Sequence, residues 1–508
     1  MTPVPASAPP ESLAEAPARR DVAVIDIGSN SVRLVQFRIE GRALWPVFNE
    51  KTMAGLGRDA RETGRLNPEG VESAMRALKR FARLLDAKHV GERHAVATAA
   101  VRDSEDGPDF VARAERETGL DIEVLSGEEE GRRSAIGVIG GVGDADGVAG
   151  DLGGSSLELT PLSGRRAGAA VSLPLGPLAV HGEGPGDPKA YKAAIDAGLE
   201  RAAPVLDRAG PVFYAVGGAW RAFAHLAMAL DDYPLILLHQ YALRPEQVAR
   251  AADFAATQSE ASLASIPGVS SKRAPTLPYA ALLLKRLIRH GGFERVVFSA
   301  NGLREGVVYA ADSSLVADGD PLLDAAEALV RNASPEPGFG PALAAWIARA
   351  FEAEPEVFGR ARDALVRAAA ARLTDIGARM HPDHRAELAT TQTLYAPFGG
   401  VSHGERAFLA LAMHHRYAGR KPREETCPSR RLLDDAGEEA AMRVGLALRL
   451  GAALSGRSAG LLEAFRLERT EAELVLRVEP GREELVVERA LQRFEQFADA
   501  MGLTPRVI

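Results

Sequence analysis

The stretch VAVIDIGSNSVRLVQFRI, residues 22–39, reads as two β-strands joined by a short polar turn. Residues 22–25 are wholly apolar, as a strand buried on both faces requires, while Val35, Phe37 and Ile39 alternate with Gln36, Arg38 and Glu40 as in a strand with one polar face. Between them Gly28 lets the chain turn, so that the amides of Ser29, Asn30 and Ser31 can point at an anion, with Asp26 delivered at the end of the first strand. Gly, Ser and Asn are also ordinary turn residues, so this stretch alone leaves a plain hairpin open.

A strand meander is an unusual opening for an α/β domain, because a doubly wound sheet places a helix directly after its first strand. A ribonuclease H-like sheet opens with the meander. Downstream the pattern alternates: a helix over residues 68–88, a strand over 94–98, a helix over 109–117 ended by Gly119 and a strand over 122–125. VAGDLGGSSLELT, from Val148, then restarts the plan with strand, glycine turn and strand, and VFYAVGG and RVVFSANG supply strands ending on small residues. Two copies of one design are implied. Past Gly302 the sequence becomes almost continuously helical, broken by segments such as PEPGFG at 335–340, until LVLRV and ELVVE within residues 471–488 suggest a small strand pair before a final helix. The expected organisation is a disordered tail at 1–20, ribonuclease H-like domains at 21–125 and 126–317 facing a phosphate cleft, and a helical domain at 318–508.

At 508 residues the chain can bury several cores, and no apolar run reaches the ~20 residues that a membrane helix needs. Its formal charge of −8 argues against nucleic acid as a partner and means that any anion must be held locally, by amides, placed arginines and a metal ion. A single cysteine, Cys427, and the lack of an apolar leader segment fit a cytoplasmic protein.

DLGGSSLE repeats the logic of the first turn: Asp151 ends a strand, Gly153 and Gly154 turn, Ser155 and Ser156 offer donors, and the hairpin can return Glu158 towards Asp151. Two carboxylates beside a phosphate suit Mg2+ that keeps most of its waters. In SGEEEGR, Ser126 and Glu129 form a capping box, Glu128 favours the positive helix end, and Glu130 is left to orient and deprotonate a water. Arg102, after a strand, could contact phosphate through its fork, and Lys272 and Arg273 could track a longer anion. An isolated arginine or a short basic cluster is equally compatible with a solvated surface.

DIGSNS, TAAVR, SGEEEGR, DLGGSSLE, YAVGG and SANGLREGVVY, in this order over residues 21–312, closely resemble the exopolyphosphatase and guanosine pentaphosphatase phosphatase family, within the actin, sugar kinase and chaperone ATPase superfamily. The resemblance implies Glu130 as catalytic base, Asp26, Asp151 and Glu158 as acids near a metal, and Arg102 and Arg273 on the phosphate chain. It departs at Ser155, where the family has glycine, at Leu157, where it has threonine, and at Gly217–Gly218–Ala219, where the nucleotide-side motif commonly ends in threonine. The helical tail resembles an HD-type domain, but LTDIG places Thr374 before Asp375 where a metal site needs histidine, which favours a metal-free role despite His381, His384, His403, His414 and His415.

The function expected is an exopolyphosphatase that uses Mg2+ and Glu130-activated water to release terminal orthophosphate from inorganic polyphosphate. Alternatives are hydrolysis of guanosine pentaphosphate, with tetraphosphate as a related ligand, ATP-dependent phosphotransfer, and a non-catalytic sensor or filament former. The resemblance also implies a homodimer.

Overall fold

The computed structural model describes residues 19–181, 188–207, 210–317, 319–421 and 428–508. The tail expected over residues 1–20 therefore lies outside the described residues, except for Arg19 and Arg20, which open the first strand. β1 (Arg19–Ile27), β2 (Val32–Glu40) and β3 (Ala43–Thr52) form the antiparallel meander, and β4 (Glu92–Ala97) and β5 (Ile122–Val124) add in parallel, giving the order β3-β2-β1-β4-β5. Residues 22–25 of β1 are apolar because both faces of the strand are covered there. Ala23, Ile25 and Ile27 meet the helices Pro68–Ala87 and Gly107–Thr118 on one side, while Val22 and Val24 meet Val307 and Val308 on the other.

The second sheet repeats the hairpin with β6 (Ala145–Leu152) and β7 (Leu157–Gly164), which β8 (Arg166–Ala167) and β9 (Val171–Leu173) extend. On the other side of β6 lie β10 (Val212–Val216) and β12 (Arg295–Phe298), both parallel, and the antiparallel edge β11 (Ala242–Leu243). Ala135, Val138 and Ile139 of the helix Gly127–Val142 cover its inner face, and the outer face packs on the helices Gly218–Leu230 and Leu277–Gly291. The helix Leu303–Ala311 lies within residues 126–317 yet packs on the first sheet, through Val307, Val308 and Tyr309. On its other side it meets the helix Gly127–Val142 backbone against backbone: a Cβ at Gly306 would come within 1.7 Å of Arg133 O, so only glycine fits there.

From Pro321 onward helices surround one core containing Phe339, Phe398, Phe408 and Phe494. The expected strand pair within 471–488 is corrected. LVLRV lies in β14 (Glu473–Val478), but its partners are β13 (Phe465–Arg469) and, in parallel, β15 (Thr504–Val507). ELVVE forms no strand, because Pro480 and Gly481 turn the chain, Glu483–Leu485 takes one 3-10 turn, and Val487 stands exposed as the cap of the last helix. Alternation without a neighbouring edge to pair with does not make a strand.

This third layer rests on both lobes. Arg42 of the first grips Asp324 with two 3.1 Å bonds, and Gly400 N donates to Gly141 O of the second at 2.7 Å. Among the described residues no helix is long and apolar enough to cross a membrane.

Candidate active site

Both polar turns close in the same way: Gly28 N donates to Ser31 O and Gly153 N to Ser156 O, each at 3.0 Å. The hairpins they close pair Asp26 with Arg33 and Asp151 with Glu158 as direct cross-strand neighbours, so the expected return of Glu158 to Asp151 is observed. The two turns also meet each other, because Ser155 Oγ donates to Ser29 Oγ at 3.2 Å. Together they line a cleft of about 210 Å3 between the sheets.

Of the residues singled out in the sequence, Asp26, Gly28, Ser29, Asn30, Ser31, Glu130, Asp151, Gly153, Gly154, Ser155, Ser156 and Arg273 line this cleft. Glu158 and Arg102 do not line it; they touch residues that do. Arg102 spends its fork on acceptors of its own chain, reaching Glu130 Oε2 at 3.2 Å, Leu125 O at 3.1 Å and Asp103 Oδ1 at 3.0 Å. Arg102 therefore orients the carboxylate of Glu130.

Ser126 caps the helix that carries Glu130, accepting from Glu129 N at 3.1 Å. The reciprocal half of the capping box is absent: the Glu129 carboxylate is held by Arg132 at 2.8 Å and Arg133 at 2.7 Å instead of returning to the cap. Two guanidinium partners outcompete one neutral amide. Gly131 is what lets this helix press onto β7, since a Cβ there would sit 2.9 Å from Glu158 Cβ. That approach brings Glu130 beside Glu158. Burial, then the charges of Glu158 and Asp151, push Glu130 well above the usual carboxylate range, opposed by Arg102. Burial likewise pushes Glu158 up to about 7, although Ser172 Oγ donates to its Oε1 at 2.8 Å.

Asp26 and Asp151 are also raised by burial, and Ser134 Oγ donates to Asp151 Oδ2 at 2.6 Å. Among the described residues no group of three Asp, Glu, His or Cys side chains forms a ready-made metal cage. The acids nevertheless suit a hard cation that keeps part of its water shell: Asp26 raises Asp151 by its charge, and Glu158 Oε2 is buried without a hydrogen-bond partner.

The same cleft is lined by a group of cations that the sequence reading missed, Arg33, Lys51, Arg221 and Arg304, together with Arg273. Arg33 and Lys51 face each other directly across β2 and β3, a like-charge pairing that destabilises a sheet unless an anion lies between. Burial first, then Arg304 and Arg221, lower Arg33 to about 10; burial and Arg273 lead the causes that lower Lys51. Arg33 carries a local signal, two residues beyond DIGSNS, and Arg304 lies inside SANGLREG; Lys51 has none. Arg33, Arg221 and Arg304 also border a second cavity of about 500 Å3, walled by Phe37, Trp45, Tyr309 and Phe398 and roofed by the helical domain.

Residues 35–314 match the Ppx/GppA phosphatase family, and residues 322–508 match the family described as "Exopolyphosphatase, C-terminal". Exopolyphosphatase 1 of Mycobacterium tuberculosis is 28% identical over 315 residues, covering 59% of this chain and 90% of that protein. Its counterpart in Mycobacterium leprae is 27% identical over 297 residues, covering 56% of this chain and 87% of its own. The crystal structure of the Aquifex aeolicus member of the Ppx/GppA family superposes with a TM-score of 0.51 at 26% identity, covering 58% of this chain and 99% of that one.

Proposed function

Because the chain belongs to the Ppx/GppA phosphatase family, we propose that it is an exopolyphosphatase, releasing orthophosphate from the end of inorganic polyphosphate. The observation that carries the proposal is the cleft itself, where five cations and a buried cluster of acids meet around two polar turns that touch each other. The turn amides and the side chains of Arg33, Lys51, Arg221, Arg273 and Arg304 hold the terminal phosphoryl groups. Glu130 accepts a proton from water as its oxygen bonds to the terminal phosphorus; the bridging P–O bond breaks, and the shortened chain leaves with the electron pair. Arg102 positions Glu130 for that transfer. Asp26, Asp151 and Glu158 would hold Mg2+, which supplies charge neutralisation on the phosphoryl oxygens.

Two ribonuclease H-like lobes hinged about the cleft, divided near residues 125 and 317, and an HD-like third domain fit this reading. A cytoplasmic homodimer is the proposed working form, with one cysteine in 508 residues consistent with a reducing compartment.

A second reading, hydrolysis of guanosine pentaphosphate in the same cleft, is favoured by one observation. The aromatic cavity shares Arg33, Arg221 and Arg304 with the phosphate cleft, so a nucleoside could sit there with its phosphates towards the acids. A time course of phosphate release from long polyphosphate, short polyphosphate and guanosine pentaphosphate, with and without magnesium, tests both. Steady magnesium-dependent release from polyphosphate is expected; binding without release would leave a sensor.

A further inference from the structure

Most buried or half-buried arginines of this chain outside the cleft have carboxylate partners; Arg133, for example, grips both Glu123 and Glu129. One group in the helical domain does not. Arg385, Arg416, Arg449 and Arg493 gather around the last turn of the helix His403–Ala418, the charge of Arg489 acts on Arg449 and Arg493, and none of the five forms an ion pair among the described residues. Arg385 and Arg416 flank the Tyr417 ring at 5.8 and 4.9 Å, Arg449 donates to Arg416 O and Tyr417 O, and Arg493 donates to Arg449 O at 3.5 Å. The described carboxylate whose charge reaches Arg416, Asp375, is committed to Ser334 at 2.9 Å and to Arg457 at 3.5 Å.

Arg416 is buried, and its Nε donates to Oγ1 of Thr374, the residue standing where a histidine ligand would be needed. The Nε atoms of Arg385 and Arg449 are buried without a hydrogen-bond partner. Burial first, then neighbouring arginines, lowers the proton affinity of Arg449 and Arg493, the latter to about 10. The phosphate cleft shows the same signature, with Arg33 lowered to about 10 by burial and by Arg304 and Arg221. Guanidinium groups gathered without counter-charge are costly unless an anion completes them, and the forks of several arginines suit the oxygens of a multivalent phosphate.

We propose that Arg385, Arg416, Arg449, Arg489 and Arg493 form a second anion site, in the helical domain, for a compact di- or triphosphate group, either free or as the tail of a nucleotide. The site is separate from the cleft and does not depend on the reaction carried out there. Arg416 and Arg449 also hold the local fold, so the informative change is at the rim: Arg489 is exposed, and the hydrogen bond of Arg493 is long.

Isothermal titration of the full-length protein with pyrophosphate, in the presence of a chelator, should show two binding events. In the double variant Arg489→Gln/Arg493→Gln one event should weaken at least tenfold, with the melting temperature without ligand not lowered and the rate of phosphate release unchanged. In Arg273→Ala the other event, belonging to the cleft, should weaken while the first remains. Titration with ATP separates the sources: affinity equal to that of pyrophosphate identifies a free anion, and affinity at least tenfold tighter identifies a nucleotide tail. The proposal is overturned if the double variant keeps both events unchanged, or if wild type shows a single event that Arg273→Ala removes.

Discussion

The two hairpins that face each other across the cleft share a backbone and differ in charge. Across the first sheet, the row at the turn reads Asp26, Arg33, Lys51 on β1, β2 and β3; across the second it reads Asp151, Glu158, Ser172 on β6, β7 and β9. Both rows begin with Asp-x-Gly-x-x-Ser, and the side chain two positions beyond the last serine decides the rest. Arginine there makes the first hairpin part of the cationic lining of the cleft. Glutamate there gives the second hairpin a buried carboxylate that loads its charge onto Glu130. On the proposed reading one backbone solution serves two chemical tasks: either turn can offer its amides to phosphate, and the cross-strand neighbour sets the field around it.

The largest effect is expected from removing the group on which the acidic row acts. Glu130→Gln keeps the shape and the hydrogen bond from Arg102 but cannot take a proton, so turnover should fall by about 10³-fold or more while polyphosphate binding survives. Residual turnover within tenfold of wild type would show that the base lies elsewhere. Next comes Arg33→Glu, which writes the charge of the second hairpin into the first. A carboxylate would then stand between Asp26 and Lys51 and face the phosphate, so kcat/KM should fall by roughly 10²-fold, mainly through KM. An unchanged KM would mean that the first row does not touch substrate.

The comparison also shows what could be read from sequence. The turns, the strands that feed them, the capping serine and the place of Glu130 in the first turn of its helix were legible because each depends on neighbours within about eight residues. Asp151 and Glu158 were legible as a pair for the same reason, since a tight hairpin fixes its own register. Lys51 was not: it reaches the cleft only because β3 pairs with β2 in a register that includes a shift between Gln36 and Phe37. Arg102 was located correctly after its strand but turned to Glu130, a choice made by a helix that starts 25 residues later. The packing of Leu303–Ala311 on the first sheet, and β15 joining β14 after an intervening helix, are likewise products of tertiary contact that no local pattern carries.

Glu158→Gln sharpens the acidic row. The carboxyl of Glu158 releases its proton near pH 7 in the folded protein and near 4.5 when unfolded, so between these values the folded state binds more protons. Stability due to this group therefore falls as pH rises through that window, and the penalty is complete above it. With a chelator present, Glu158→Gln should raise the stability measured by denaturant titration by on the order of 1–3 kcal/mol at pH 8 and leave it nearly unchanged at pH 4. Because the charge of Glu158 helps to raise Glu130, the acid limb of kcat should also move to lower pH. A stability gain independent of pH would show that the carboxylate is not strained by its burial.

The smallest effect belongs to Ser155, the residue at which the second turn departs from its relatives. A glycine in a turn usually signals a left-handed backbone, yet among the described residues the non-glycine positions of positive φ are Asp59, His89, Asp232, Gln240 and Arg457, and Ser155 is not one of them. Its side chain therefore costs no backbone strain, and it contributes the 3.2 Å bond to Ser29 that ties one hairpin to the other. Ser155→Gly should remove that neutral bond and add freedom to the unfolded chain, lowering stability by about 0.5–1.5 kcal/mol in thermal unfolding and changing kcat/KM by less than about threefold. A stabilised variant would mean that the serine is strained after all. A loss of activity well beyond threefold would mean that the two rows work only when the hydroxyl bridge holds them together, so that the hairpins act as one unit rather than as two.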